Sequence, residues 1–187
     1  WDSMEYALRH GVTHLCAGEQ KDQDQARALL FNFKWLLARA CLGPIHALVA
    51  DVIRVESQRS NDRALALLLS ALRLAQPALG QSPWQMAGQL VARLQLYENK
   101  ERSKQEYGTE PNPFYVIEIG AFLGTVRAWQ GPEGGKGWCC PIGQTYTPAG
   151  GPCVSTLEGH SDDVYSVAFN HDGSRIVSGS DDNTLRV

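Results

Sequence analysis

Three groups of residues have the types and spacings that chemistry would require. Gly134-Gly135-Lys136-Gly137 approaches a phosphate-binding loop. Such a loop needs Gly, four residues, then Gly-Lys-Ser/Thr, so that backbone N–H groups wrap the phosphates and a hydroxyl reaches Mg²⁺. Gln130 stands where the first Gly belongs and Gly137 where the hydroxyl belongs, so the segment reads as a flexible connector. His10 and His14 are four apart on one helix face, with Cys16 nearby, and Cys139, Cys140 and Cys153 add thiols. Zinc takes about four converging ligands. Adjacent side chains such as Cys139 and Cys140 diverge, and no Glu follows His10 in the metalloprotease pattern. These positions read as ordinary helix residues and inert thiols, and no metal or cofactor is expected. Ser178, His160 and Asp182 are the residue types of an acyl-transfer triad. No strained nucleophile turn presents the serine, so no catalytic residue is assigned.

The elements that position these residues change character near residue 100. Before it, apolar residues recur at helical spacing. Ala26, Leu29, Leu30, Phe33, Leu36, Leu37 and Ala40 predict one helix, stopped by Gly43, after which Pro44 can open the next. Ile45, Leu48, Val49, Val52 and Ile53 form the second stripe. Ser60 to Asp62 offers N-caps for a third helix with Leu65, Leu68, Leu69, Leu72 and Ala75. Leu67 and Leu74 widen its apolar face and make it the most central element. Ser82-Pro83-Trp84-Gln85 reads as a capping box opening a helix with Met86, Leu90, Val91, Leu94 and Tyr97. A weaker helix starts at Ser3 and uses Met4, Leu8, Val12 and Leu15. Short connections imply antiparallel neighbours.

Asn99 to Asn112 is a polar loop, Tyr115, Ile119, Phe122, Leu123, Val126 and Trp129 keep helical spacing, and Gly131 to Gly151 is irregular. Beyond Cys153 the period drops to two. Asp163–Phe169, Arg175–Ser180 and Thr184–Val187 predict three strands joined by turns at Asn170-His171-Asp172-Gly173 and Asp181-Asp182-Asn183, an antiparallel meander.

Composition sets limits. Of 187 residues, 43% are hydrophobic and 20% charged, ordinary globular usage that excludes a disordered or collagen-like chain. The longest apolar run, Ala64 to Leu69, is far below the roughly 18 residues of a membrane span. The net charge of −3 is concentrated in residues 153–187, where six acids face two arginines, so no basic face exists for nucleic acid. Five cysteines, an odd number, fit a reducing compartment. The start Trp1-Asp2-Ser3-Met4 has no initiator Met and no signal peptide, and reads as an end within a larger protein.

The meander resembles a known family. Leu157-Glu158-Gly159-His160, Val164 to Phe169, Asp172-Gly173 and Ser178-Gly179-Ser180-Asp181-Asp182-Asn183-Thr184-Leu185-Arg186-Val187 resemble a WD repeat over about 35 residues. The family's Trp-Asp pair falls one residue beyond Val187, inside the third strand. The resemblance implies a β-propeller blade of about four strands. It also implies that His160, Ser178 and Asp182 join that Trp in a hydrogen-bonded network, with Ser180 the second candidate for the serine. Trp35-Leu36-Leu37 through Ala50-Asp51, Ala64 to Leu74, Ala87 to Leu94 and the lead-in Pro148-Ala149-Gly150-Gly151-Pro152 carry a second likeness. They resemble the helical region before the propeller in NB-ARC/NACHT-like nucleotide-switch ATPases of the apoptotic protease-activating-factor type. That likeness places the ATPase domain before residue 1.

The expected architecture is α+β. Residues 1–98 form an N-terminal antiparallel α-helical bundle or solenoid. Residues 99–152 are a linker with one helix at 113–130 and a Gly/Pro-rich segment, and residues 153–187 are a first, truncated WD repeat. The expected function is a non-catalytic, cytoplasmic interaction scaffold of an intracellular signalling protein, with a stand-alone WD-repeat adaptor as the alternative. Its partners would be other proteins met through the completed propeller, with no nucleic acid and no membrane.

One repeat cannot cover both of its own faces, and about three are usually needed for stability. Residues 153–187 should therefore open before the helices. Hydrogen exchange checks this: amides of Val164–Phe169 should exchange sooner than those of Leu65–Leu72, and the reverse order would overturn the expectation.

Overall fold

The structure is a computed structural model, and it describes residues 3–59, 61–98, 113–132, 138–142, 146–151, 153 and 157–187. Seven α-helices are seen among the described residues: α1 (Ser3–Cys16), α2 (Gln20–Leu30), α3 (Phe33–Cys41), α4 (Ile45–Ser57), α5 (Arg63–Gln81), α6 (Met86–Leu94) and α7 (Pro113–Arg127). Short 3-10 turns at Pro83–Gln85 and Gln95–Glu98 flank α6. Three strands follow, β1 (Val164–Phe169), β2 (Ile176–Ser180) and β3 (Leu185–Arg186). The chain divides into two compact units, Trp1–Thr156 and Leu157–Val187.

The helical unit is organised by α5. Leu65, Leu67, Leu68, Leu72 and Ala75 are wholly buried, and Ala64, Leu69, Ala71, Leu74 and Leu79 beside them are buried too. Only Arg63, Ser70, Arg73 and Gln76 leave a narrow polar stripe, and a helix with so wide an apolar face must be covered on several sides. Helices α4, α6 and α7 pack against it. Each leucine taken from water contributes roughly 1.5–3 kcal/mol. Asp62 caps α5, its carboxylate accepting the Leu65 N–H at 3.1 Å. The helix continues through Pro77, which has no N–H to give, and ends at Gln81 with Ser82 as its C-cap.

Several expectations are corrected. The single stripe from Ala26 to Ala40 is two helices, broken at Phe31-Asn32. Asn32 is the reason: its side-chain oxygen accepts the Trp35 N–H at 3.2 Å and starts α3 anew. In α4, Ile53 is exposed and Val55 is buried, so the inward stripe is Leu48, Val49, Val52 and Val55. Ser82 makes no side-chain cap, and Pro83–Gln85 is a 3-10 turn before α6, not the opening of it. Tyr97 lies in the second 3-10 turn. The 99–152 span contributes to the helical core: Ile119, Leu123 and Val126 of α7 and Ala149 are buried in it.

Residues 146–151 are clasped to α5 and α6. The Ala149 N–H donates to the Arg93 carbonyl at 3.1 Å. Arg93 Nη1 donates to the Thr147 carbonyl at 2.9 Å. The Tyr97 hydroxyl donates to the Ala149 carbonyl, and the Gly150 N–H donates to Ser70 Oγ at 2.8 Å. Gly150 has φ +72°, and a Cβ there would meet Leu67 Cδ2 at 2.9 Å. Only glycine takes that backbone and that approach without strain.

Ion pairs join helices at two depths. Arg27 of α2 holds both Asp62, at the start of α5, and Glu118 of α7; Nη2 reaches Glu118 Oε2 at 2.7 Å. Burial raises the Asp62 carboxyl, but hydrogen bonds from Arg27 and the Leu65 N–H outweigh it and hold the group below its ordinary value. Arg39 of α3 and Asp51 of α4 form a buried pair at 2.9 Å. Burial pushes Asp51 up despite Arg39 beside it. Its charge is tolerated because the guanidinium is there. Arg39→Met should therefore destabilise by about 3–5 kcal/mol, leaving a buried carboxylate alone, while Arg39→Met with Asp51→Leu should recover most of that. Urea denaturation of the single and double variants checks the order.

Candidate functional site

The second unit is a three-stranded antiparallel sheet in the order β1-β2-β3. Ser178 in the middle of β2 pairs with Val167 of β1 and with Arg186 of β3. The β1–β2 register shifts between Val164 and Ser166, a bulge beside the bend into the strand. The first turn closes with Gly173 at φ +70° and the Asn170 side chain accepting the Arg175 N–H at 2.9 Å. The second turn has Asn183 at φ 61°, a conformation asparagine adopts readily. Its geometry places Asp182 inward.

His160, Ser178 and Asp182 come together. His160 Nδ1 lies 2.9 Å from Asp182 Oδ2, and His160 Nε2 lies 2.8 Å from Ser178 Oγ. The His160 and Asp182 side chains are 8% and 6% exposed, so the pair is shielded from water within a small sheet. The other oxygen, Asp182 Oδ1, accepts the Thr184 hydroxyl at 2.6 Å and the Thr184 N–H at 2.9 Å. Oδ2 also accepts the Ser161 N–H at 3.1 Å. The Thr184 hydroxyl first, then His160 and the two backbone N–H groups, hold Asp182 well below the carboxylate range against the burial that raises it. An ionised Asp182 makes Nδ1–H the donor and leaves Nε2 to accept from the Ser178 hydroxyl.

Ser180 is two residues on and serves otherwise. Its Oγ donates to the Asp162 carbonyl and accepts the Asp182 N–H, each at 3.1 Å. Thr184 was not singled out from the sequence, although Asp-x-Thr is a local signal for a side chain that hydrogen-bonds two residues on. Chemically the set ties three separate pieces together: the loop at His160, the strand at Ser178 and the turn at Asp182. The relay also matches the donor–acceptor order of a hydrolytic triad, but Ser178 sits mid-strand in ladder pairing, not on a strand-to-helix turn.

The remaining candidates lie apart. His10 and His14 both face the Tyr6 ring, and the Tyr6 hydroxyl meets His14 Nε2 at 2.9 Å. Cys16 is buried, and burial pushes its thiol up. Among the described residues no three His, Cys, Asp or Glu side chains gather to hold a metal ion. Gly134 to Gly137 lie outside the described residues. No described helix is long and apolar enough to cross a membrane.

Comparison with known proteins bears on the same segment. Residues 151–187 match the WD domain, G-beta repeat family. The vegetative incompatibility protein HET-E-1 of Podospora anserina is 57% identical over 35 residues, covering 19% of this chain and 3% of that protein. The chain thus aligns with a small fraction of this relative's length. No solved structure matches. The C-terminal unit is a WD repeat, and the chain is a helical region followed by one such meander.

Asp182 is the titrating group of the network. Its folded pKa lies below its unfolded one, so the stability it contributes is present above about pH 4 and is lost as pH falls through the lower folded value. Asp182→Asn should flatten the acid loss of sheet structure and lower the unfolding midpoint at neutral pH. His160→Ala should lower that midpoint too, while His171→Ala, on an exposed turn, should not. Thermal unfolding between pH 2 and 7, followed at the strand amides, checks both statements; an unchanged acid slope in Asp182→Asn would remove the carboxylate from this role.

Proposed function

We propose that this chain is a non-catalytic coupling and recognition segment of an intracellular, cytoplasmic signalling protein. The observation that carries the reading is the network of His160, Ser178 and Asp182 in a segment matching the WD repeat family. WD repeats as a class assemble into propellers whose loops are used for protein recognition. In this reading the Asp182–His160–Ser178 relay is structural. It fixes loop, strand and turn so that a sheet with few internal contacts keeps one register. A Trp in the family position after Val187 would complete it by donating its indole N–H to the serine. Further repeats would cover Val164, Val167 and Phe169, whose side chains are exposed.

The helical unit acts as the spacer before the propeller of a nucleotide-switch protein of the NB-ARC/NACHT-like type. Support comes from the clasp at 146–151, which secures the chain on α5 and α6 before it runs on to the repeat. Any ATPase domain belongs upstream of residue 1. The name of the relative, a vegetative incompatibility protein, agrees with a signalling context for such a repeat. Partners are other proteins, met through a completed propeller.

The reading is tested against its chemical rival. If the relay is structural, a fluorophosphonate probe should leave Ser178 unmodified, and p-nitrophenyl esters should turn over no faster with this chain than with His160→Ala. Labelling of Ser178 that is lost in His160→Ala would replace the scaffold reading with that of a hydrolase.

A further inference from the structure

A groove on the helical unit is bounded by the start of α6 and the 138–141 segment. Trp84, Gln85, Gly88, Gln89, Trp138 and Tyr146 line it, and its volume is about 450 Å³. That is room for one small bicyclic ligand. Its aromatic walls are fixed from behind: Trp84 stacks on Trp129 at 6.4 Å with planes 5° apart, and Trp138 Nε1–H donates to the Trp129 carbonyl at 2.6 Å. Among the described residues no carboxylate lines the groove.

Two hydrogen-bond donors at this groove have no acceptor. Gln89 is 7% exposed. Arg93 Nε can only donate, so the oxygen of the Gln89 amide must face it, and does so at 3.2 Å. The amide Nε2 is thereby turned elsewhere, and no acceptor among the described residues meets it. Nε2 is not sealed in, and the open space beside the residue is the groove. Arg93 supplies the second donor. Its guanidinium carbon lies 5.2 Å above the Tyr146 ring, and Nη1 is used on the Thr147 carbonyl. Nη2 shares the planar edge of Nε, the edge turned to Gln89, and it too meets no acceptor among the described residues. Burial lowers the Arg93 pKa, and only Tyr146 and Cys153 oppose it, with no carboxylate among the causes.

We propose that this groove binds a small planar aromatic carboxylate, with its ring against Trp84 and Trp138 and its carboxylate on Gln89 Nε2 and Arg93 Nη2. A carboxylate has lone pairs for both donors at once, and such charge-assisted bonds are the strong ones. The tryptophan walls supply a flat apolar surface for the ring. An aromatic groove can also take a quaternary ammonium. Here Arg93 already sits over Tyr146 and no acid lines the walls, so the charge of the site selects an anion.

β-Naphthoate is the probe. Isothermal titration of the full 187-residue chain should show one equivalent bound, with a change in tryptophan fluorescence. The neutral β-naphthamide should bind roughly tenfold more weakly, because it lacks the charged acceptor. The β-naphthylmethylammonium ion should bind no better than the amide. Gln89→Met keeps the buried volume and removes the donor, and should weaken naphthoate roughly tenfold. Trp84→Ala should weaken it as well. Trp84 is half-exposed, so that variant keeps the helical core, which far-UV circular dichroism checks. Lys34→Ala, in the separate cleft beside Phe31 and Phe33, should match the parent. Equal binding of naphthoate and naphthamide, tighter binding of the ammonium, or no binding of naphthoate to the parent chain overturns the assignment. Undiminished binding in Trp84→Ala, or its loss in Lys34→Ala, overturns it as well, since the ligand would then lie elsewhere.

Discussion

Helix α5 has only a narrow polar stripe, Arg63, Ser70, Arg73 and Gln76, to turn to water, and that constraint arranges the whole helical unit. Its buried positions run from Ala64 to Leu79 and take up the rest of its circumference. One antiparallel neighbour could cover only one stripe. Helices α4, α6 and α7 are therefore all required, and α7 comes from beyond residue 112 in the sequence. The same demand explains Ala149 and Gly150. The 146–151 turn packs against Leu67, with Gly150 close enough that even a methyl group would collide with Leu67. Hydrophobic burial of this kind is strong but non-directional. It says that the wide apolar face of α5 must be covered, and not by what.

Direction comes from a few charged groups. Arg27 meets Asp62 and Glu118 at once, and so sets α2, the first turn of α5 and α7 in one relative position. Arg39 and Asp51 do the same for α3 and α4. Neither cluster needs to contribute much net free energy, because removing charge from water offsets most of the attraction. Their effect is to make one packing arrangement cheaper than its neighbours. A slipped α7 would leave Glu118 unpaired, and a rotated α4 would bury Asp51 without its arginine.

The sequence made the helices legible because α4, α5 and α6 repeat their apolar residues at one period for two turns or more. It was misleading where a polar residue interrupts a good stripe. Asn32 lies between Leu29 and Phe33 without breaking the spacing, and only its hydrogen bond to the Trp35 N–H shows that the helix restarts. Ile53 and Val55 exchange places for a related reason: both fit a widened stripe, and the position of α4 against α5 chooses Val55. The clasp of Gly150 on Ser70 joins residues 80 apart and has no local signature. In the meander, His160, Ser178 and Asp182 were legible through resemblance to a repeat family. The resemblance puts Ser178 ahead of Ser180, although residues two apart share one face of a strand and local pattern alone does not distinguish them. The turn decides, because Asp182 N–H occupies Ser180 Oγ and leaves Ser178 to His160.

The meander and the helices thus solve opposite problems. The helical unit has abundant apolar area and uses charges to select one arrangement. The sheet has little of its own to bury: all six β1 side chains are exposed. It relies instead on directional bonds, four of them converging on the Asp182 carboxylate from Ser161, His160 and Thr184. Hydrogen bonds contribute only about 1 kcal/mol each after exchange with water, so they can hold a register without supplying a core. A unit built this way keeps its apolar face available for other sheets to cover. That is the physical requirement for a repeat whose stability comes from its neighbours.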